Sequence, residues 1–181
     1  MLAGHFGVGL ALKARYTTVP LVPIVLAAAL PDLFFVLFHA IGWESLSAPP
    51  AHFFRPDTFD ATPFSHDFSM VSIYAGLTAA FGLLLWSSRW ALALGWAVAS
   101  HILLDFLVHA PDIGVGGPWI PLRVGLDLWR RAPVAAWGLE AALVCVGGAL
   151  YVRSCAAPRG WRAWAVPGVL LSVHTAALAV W

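Results

Sequence analysis

The sequence predicts an all-α, polytopic transmembrane helix bundle of about five spans plus a short N-terminal helix. Hydrophobic residues make up 61% of the 181 positions and charged residues 10%, whereas a soluble domain is about 45–50% apolar and about 25% charged. The mean hydropathy is +0.83. The apolar residues also fall in long runs with few charges, the pattern a bilayer selects. Residues 1–181 therefore read as a single integral membrane domain.

The first apolar run, residues 2–12, is too short to span alone. Residues 20–42 (PLVPIVLAAALPDLFFVLFHAIG) reach about 34 Å as a helix, enough for a hydrocarbon core of about 30 Å. The stretch 43–65 is rich in Pro, Ser, Asp and Thr, which exclude a continuous helix and place it at the surface or over a cavity. Residues 66–87 and 90–110 are the next two spans, and the short Ser87-Ser88-Arg89 link makes them an antiparallel hairpin. A Gly- and Pro-rich segment, 111–132, precedes two more spans at 133–152 and 163–181. Trp43, Trp86, Trp90, Trp129, Trp161 and Trp181 fall close to span ends, where amphipathic rings favour the interface; Trp96 and Trp137 do not.

Several partner classes drop out. A formal net charge of +1 and no block of basic residues offer no footprint for nucleic acid. Cys145 and Cys155 match neither a disulfide framework nor a CxxC metal site. The first basic residues, Lys13 and Arg15, follow the apolar stretch instead of preceding it, so a retained N-terminus is expected, not a signal peptide. Lys13, Arg15, Arg89, Arg153, Arg159 and Arg162 would share one side of the membrane, against Arg55, Arg123, Arg130 and Arg131. The positive-inside rule then makes the first side cytoplasmic and both termini external.

Ionisable residues within spans cost roughly 2.5–3.5 kcal/mol each on insertion scales, so each needs a partner or a purpose. They are His5, Asp32, His66, Asp67, His101, Asp105, His109 and Glu140, with His39 and His174 nearer span ends. His101, Asp105 and His109 stand at i, i+4 and i+8 within SHILLDFLVHAPD, on one helix face. Histidine with carboxylate is the ordinary donor set for zinc or another divalent ion; isolated structural histidines bonded to neighbouring helices are the simpler alternative. Alternating the spans brings His5, Asp32, His66, His101, Asp105 and His109 to one half of the bundle, leaving the other half apolar apart from Glu140 and the Ser and Thr residues. Pro31 should kink the second span and free a carbonyl beside Asp32. The segments 43–65 and 112–118 fall on the same side as a lid and rim, with His52, Asp57 and Asp60 solvated.

Four segments, GHFGVGLALKA, AALPD, PFSHD and SHILLDFLVHAPD, resemble in order and spacing the motifs of the bacterial membrane-bound metal-dependent hydrolases, the LexA-regulated inner-membrane hydrolase family. The likeness covers about the first 130 residues, which makes 1–130 the metal-site core and 133–181 the C-terminal spans. The order His, Asp, His, His-x3-Asp is more distantly similar to the zinc-dependent phospholipase C family. The resemblance implies His5, Asp32, His66, His101 and Asp105 as metal ligands. The chain departs from the pattern at Ala61, where a second histidine often stands, and at Asp67, where serine is common. Asp67 then replaces a lost ligand, acts as a base, or is an acid favoured by a helix N-terminus.

These features together lead to an expected function. A membrane-embedded hydrolase would use one or two divalent ions, zinc first, to activate water against a phosphoester or acyl ester of a lipid or lipid-linked substrate. His109 or Asp67 would serve as catalytic base or orient a ligand. The expected location is the bacterial inner membrane, with multiple passes and the bilayer as the surrounding partner. A metal-ion or proton transporter using the same cluster is the alternative, and it should continue polar residues to the opposite face.

Overall fold

A computed structural model of the chain describes residues 2–46, 59–154 and 164–176. Eight α-helices account for most of them: α1 Leu2–Arg15, α2 Leu21–Ala28, α3 Leu30–Ala40, α4 Phe68–Leu85, α5 Ser88–Val108, α6 Leu128–Arg131, α7 Pro133–Ser154 and α8 Ala165–Ala176. Two small antiparallel ribbons join them: β1 Ser45–Leu46 with β2 Phe59–Ala61, and β3 Ile113–Val115 with β4 Leu122–Val124. The all-α expectation holds.

Three described helices, α4, α5 and α7, are long and apolar enough to cross a membrane, and α2 with α3 makes a fourth if the bent pair is one span. Of the run expected at 163–181, α8 supplies twelve described residues. The expected single span at 20–42 is instead two helices meeting at Ala29 with a bend of 53°. Pro31 is the second residue of α3, where its missing N–H leaves no helical bond unmade, so proline starts a new helix rather than kinking an old one.

Burial sorts the helices into centre and periphery. The apolar stretch of α5 is 50% buried and that of α4 only 11%, so α5 is the axis and α4 turns most of its Leu, Ile and Phe side chains outward, as a lipid-facing helix does. The core under α5 is built from Val19, Ile24, Ala28, Val71, Ala93, Ala97, Val98 and Ile102. Around the short α4–α5 turn, Trp86 stacks on Trp90 at 4.3 Å between ring centroids.

α1 packs chiefly on α7. Ala3 and Gly4 lie at Glu140, while Gly7 lies against Leu143 and Val144 and meets Gly147 backbone to backbone, so the two helices run parallel. A Cβ on Gly7 would stand 2.6 Å from the Leu143 carbonyl carbon; only the paired glycines allow this approach. The parallel packing puts Lys13, Arg15 and Arg153 at one end, and Arg15 and Arg89 line a common cavity there, in keeping with the grouping of basic residues read from the loops. His5, the α2–α3 break, the start of α4 and the end of α5 occupy the other end.

Gly147→Ala drives a methyl into the α1 backbone and is expected to cost about 1–3 kcal/mol, read as a lower thermal midpoint in detergent. Gly138→Ala, with nothing within 4 Å of the new methyl, is expected to leave the midpoint unchanged or raise it slightly.

Candidate metal centre

α5 contributes His101 and Asp105 on successive turns, both buried. The helix ends at Val108, since Pro111 disfavours helix at Ala110 and His109 already has extended backbone (φ −73°, ψ 153°). His109 is therefore not a third helical position, yet its Nε2 still lies 3.7 Å from Asp105 Oδ1. The backbone around this end is satisfied from 126–127: Leu126 N–H donates to the Phe106 carbonyl at 2.8 Å and Asp127 N–H to that of His109 at 2.7 Å.

Asp105 is the hub. Its Oδ1 faces His5 Nε2 at 3.2 Å and His109 Nε2, while its Oδ2 faces His101 Nε2 at 3.1 Å and His66 Nε2 at 3.8 Å. Asp32 Oδ1 completes the group, 3.4 Å from His66 Nε2 and 3.6 Å from His101 Nε2. The His66 and His101 Nε2 atoms are 3.4 Å apart, and the His5 ring stacks on that of His101 at 3.8 Å and 8°. Two overlapping sets of donors, His5–His101–Asp105 and Asp32–His66–His101, could each hold a metal ion.

The residues fit such an ion on three counts. Tetrahedral neighbours around zinc at about 2.0–2.1 Å stand about 3.3 Å apart, and the separations here run from 3.1 to 3.8 Å. Every histidine of the group turns Nε2 inward. His101 does so because its Nδ1–H donates to the Ala28 carbonyl at 2.8 Å, an acceptor-only partner that leaves a lone pair on Nε2. That carbonyl lies at the end of α2, so the break between the two helices, and not the expected proline kink, leaves it to accept from His101. The site is walled in except at Asp32, whose side chain is 42% exposed while those of His5, His66, His101 and Asp105 are at most 2%.

The structure brings together all five expected ligands, with His109 at the edge, where its Nδ1 lies 3.7 Å from Asp112 Oδ1. Asp67 has other work. Its Oδ1 accepts from Ser69 N–H (2.9 Å) and Met70 N–H (3.1 Å), capping α4, and its Oδ2 accepts from Gly117 N–H (2.8 Å). Of the three readings left open for it, the helix N-terminal acid is the one these bonds describe. Gly114 passes so close that a Cβ there would stand 2.6 Å from Asp67 Oδ2. The cap thus ties the 112–118 segment to the start of α4. Glu140, expected in the apolar half, lies instead beside His5's helix: its Oε2 accepts from Ala3 N–H (3.1 Å) and Gly4 N–H (3.3 Å). His52 and Asp57 lie outside the described residues.

Glu44 and Ser65 were not anticipated. Glu44 is buried and accepts from Phe64 N–H and Ser65 N–H, both at 2.8 Å, and from the Ser65 hydroxyl at 2.5 Å. Ser65 Oγ is also 2.9 Å from His66 Nδ1. A glutamate in a loop next to a tryptophan carries no spacing signature. Beyond Asp112, a cavity of about 400 Å³ is lined by Thr62, Gly114, Trp119 and Arg123 among others.

No family model, curated protein or solved structure matches this chain.

Asp67→Ala removes the α4 cap and is expected to lower stability by about 1–2 kcal/mol without altering metal content, measured by thermal unfolding and elemental analysis of the same preparation. Loss of metal in a folded Asp67→Ala protein would make Asp67 a ligand after all.

Proposed function

We propose that this chain is a membrane-embedded, metal-dependent hydrolase of the inner-membrane hydrolase family its motifs resemble. Its substrate would be a phosphoester or acyl ester of a lipid or lipid-linked molecule, and zinc its first-choice ion. The carrying observation is the convergence of three imidazole Nε2 atoms and two aspartates on a pocket open at Asp32. That donor set suits zinc better than magnesium or calcium, which prefer all-oxygen shells.

A divalent ion would supply Lewis acidity and a more acidic water. The chain's own residues do the rest. Asp32, His66, His101, Asp105 and His5 would hold the ion, and the apolar core below them keeps bulk water away. His109 is the candidate base, because its ring stands at the edge of the cluster with Nε2 3.7 Å from Asp105 Oδ1. Exposed Trp119, Ile120 and Leu122 around the adjoining cavity suit an acyl-bearing substrate.

Inner-membrane residence with about five passes belongs to the same reading. With Lys13, Arg15, Arg89 and Arg153 at the cytoplasmic end, the cluster would face the opposite side. Transport along the same histidines is less well supported, because the buried α5 positions leading away from the cluster are Val98, Ala97, Leu94 and Ala93, none of them polar.

Elemental analysis of detergent-purified protein is expected to find zinc in the wild type and a loss of it in His101→Ala and Asp105→Ala. His109→Ala should keep most of its metal and lose about 10²–10⁴-fold in turnover, measured as phosphate or fatty acid released from a lipid panel. Metal-free wild-type protein, or ion flux in liposomes without turnover, would overturn the hydrolase reading.

A further inference from the structure

His66 differs from the other histidines of the cluster in its support. His5 and His101 ride on helices, whereas His66 precedes α4 in the segment 62–67. A loop histidine needs something else to aim it. Its ring packs edge-on to Phe35 at 6.0 Å between centroids, which limits tilt but does not decide which nitrogen carries the proton.

The hydrogen bonds behind the ring do decide it. Glu44 accepts two backbone N–H groups through Oε1, from Phe64 and Ser65, so that oxygen is committed as an acceptor. Glu44 Oε2 accepts from the Ser65 hydroxyl at 2.5 Å, which places the hydroxyl hydrogen on the line toward Glu44. Ser65 Oγ then presents a lone pair to His66 Nδ1 at 2.9 Å, and Nδ1 must be the donor. A neutral imidazole protonated at Nδ1 has its free lone pair on Nε2, the atom that faces Asp32, His101 and Asp105.

We propose that Glu44 and Ser65 are positioning residues that fix His66 in the tautomer whose Nε2 lone pair faces the cluster. The relay does for the loop histidine what the Ala28 carbonyl does for His101. Its value as ligand support rests on the metal-centre reading, while the tautomer itself does not. Both relay residues are buried, Glu44 at 3% exposure and Ser65 at 0%, so water does not compete for these bonds.

Two variants separate aiming from mere anchoring. Ser65→Ala keeps both backbone bonds to Glu44, so the loop stays tied down while the link to His66 is cut. Glu44→Gln can turn its amide N–H₂ toward Ser65 Oγ, which sends the hydroxyl hydrogen to His66 Nδ1 and the ring proton to Nε2.

The experiment combines nitrogen NMR of ¹⁵N-histidine-labelled, metal-free protein in detergent with chelator competition for zinc. The wild type is expected to show His66 protonated at Nδ1. Ser65→Ala should lose that single signature, and Glu44→Gln should shift it toward Nε2–H. Zinc affinity should fall about 10–100-fold in both, the usual cost of removing such support, with helical content by circular dichroism unchanged. If Glu44→Gln does not fold, Ser65→Ala decides alone. An Nε2–H tautomer in the wild type, or a folded Ser65→Ala protein with unaltered tautomer and zinc affinity, would overturn the relay. An Nδ1–H wild type that binds no zinc would leave the relay standing and sink the metal centre.

Discussion

A carboxylate inside an apolar bundle must be matched, and the matching of Asp105 organises this fold. Its two oxygens face four imidazoles that arrive from separate parts of the chain: α1, the segment before α4, its own helix α5 and the turn after it. Burying a charge without partners would cost many kcal/mol. The His66 and His101 rings, with Nε2 lone pairs toward Asp105, would match that charge only together with a shared cation. The helices that carry these groups meet at that level, and the glycine contact of α1 on α7 and the break between α2 and α3 are arranged around the meeting point.

The same demand recurs at the helix ends. α1 begins inside the protein and its first amides find Glu140. α4 begins there too, and finds Asp67. Both helix starts are walled off from solvent by the protein itself, so a buried acid is the available cap. Several of the ionisable residues that hydropathy marks as costly thus fall into two trades. One set gathers at the cluster, and the other closes the backbone of the helices that carry it.

That division explains what could be read from the sequence. The i, i+4 spacing of His101 and Asp105 is local, so the stripe was visible, and alternating spans carried His5, Asp32 and His66 to the same end. Pro31 announced the break, though not that α3 would start anew there. Glu140 was misplaced because its partners, Ala3 and Gly4, lie more than 130 residues away, and no pattern in α7 points to them. Glu44 escaped for a similar reason, since its role exists only once residues 44 and 65 are folded together. The described parts of the 43–65 stretch, 43–46 and 59–65, are non-helical as the prolines and turn formers implied, but the β1–β2 ribbon they form was not legible. Gly7 and Gly147 looked like ordinary small residues until the parallel packing gave them to each other.

The bend between α2 and α3 also bears on the lipid around the protein. Helices of 8 and 11 residues set at 53° reach about 26 Å end to end at 1.5 Å per residue. A hydrocarbon core is about 30 Å thick. If the pair is one span, lipid beside it would thin to meet it, at a fraction of a kcal/mol per Å, and Asp32, the exposed member of the cluster, sits on that flank. On the function proposed above, such thinning would sink the headgroup region toward the opening at Asp32, and a lipid ester would reach the aspartate without climbing out of the bilayer.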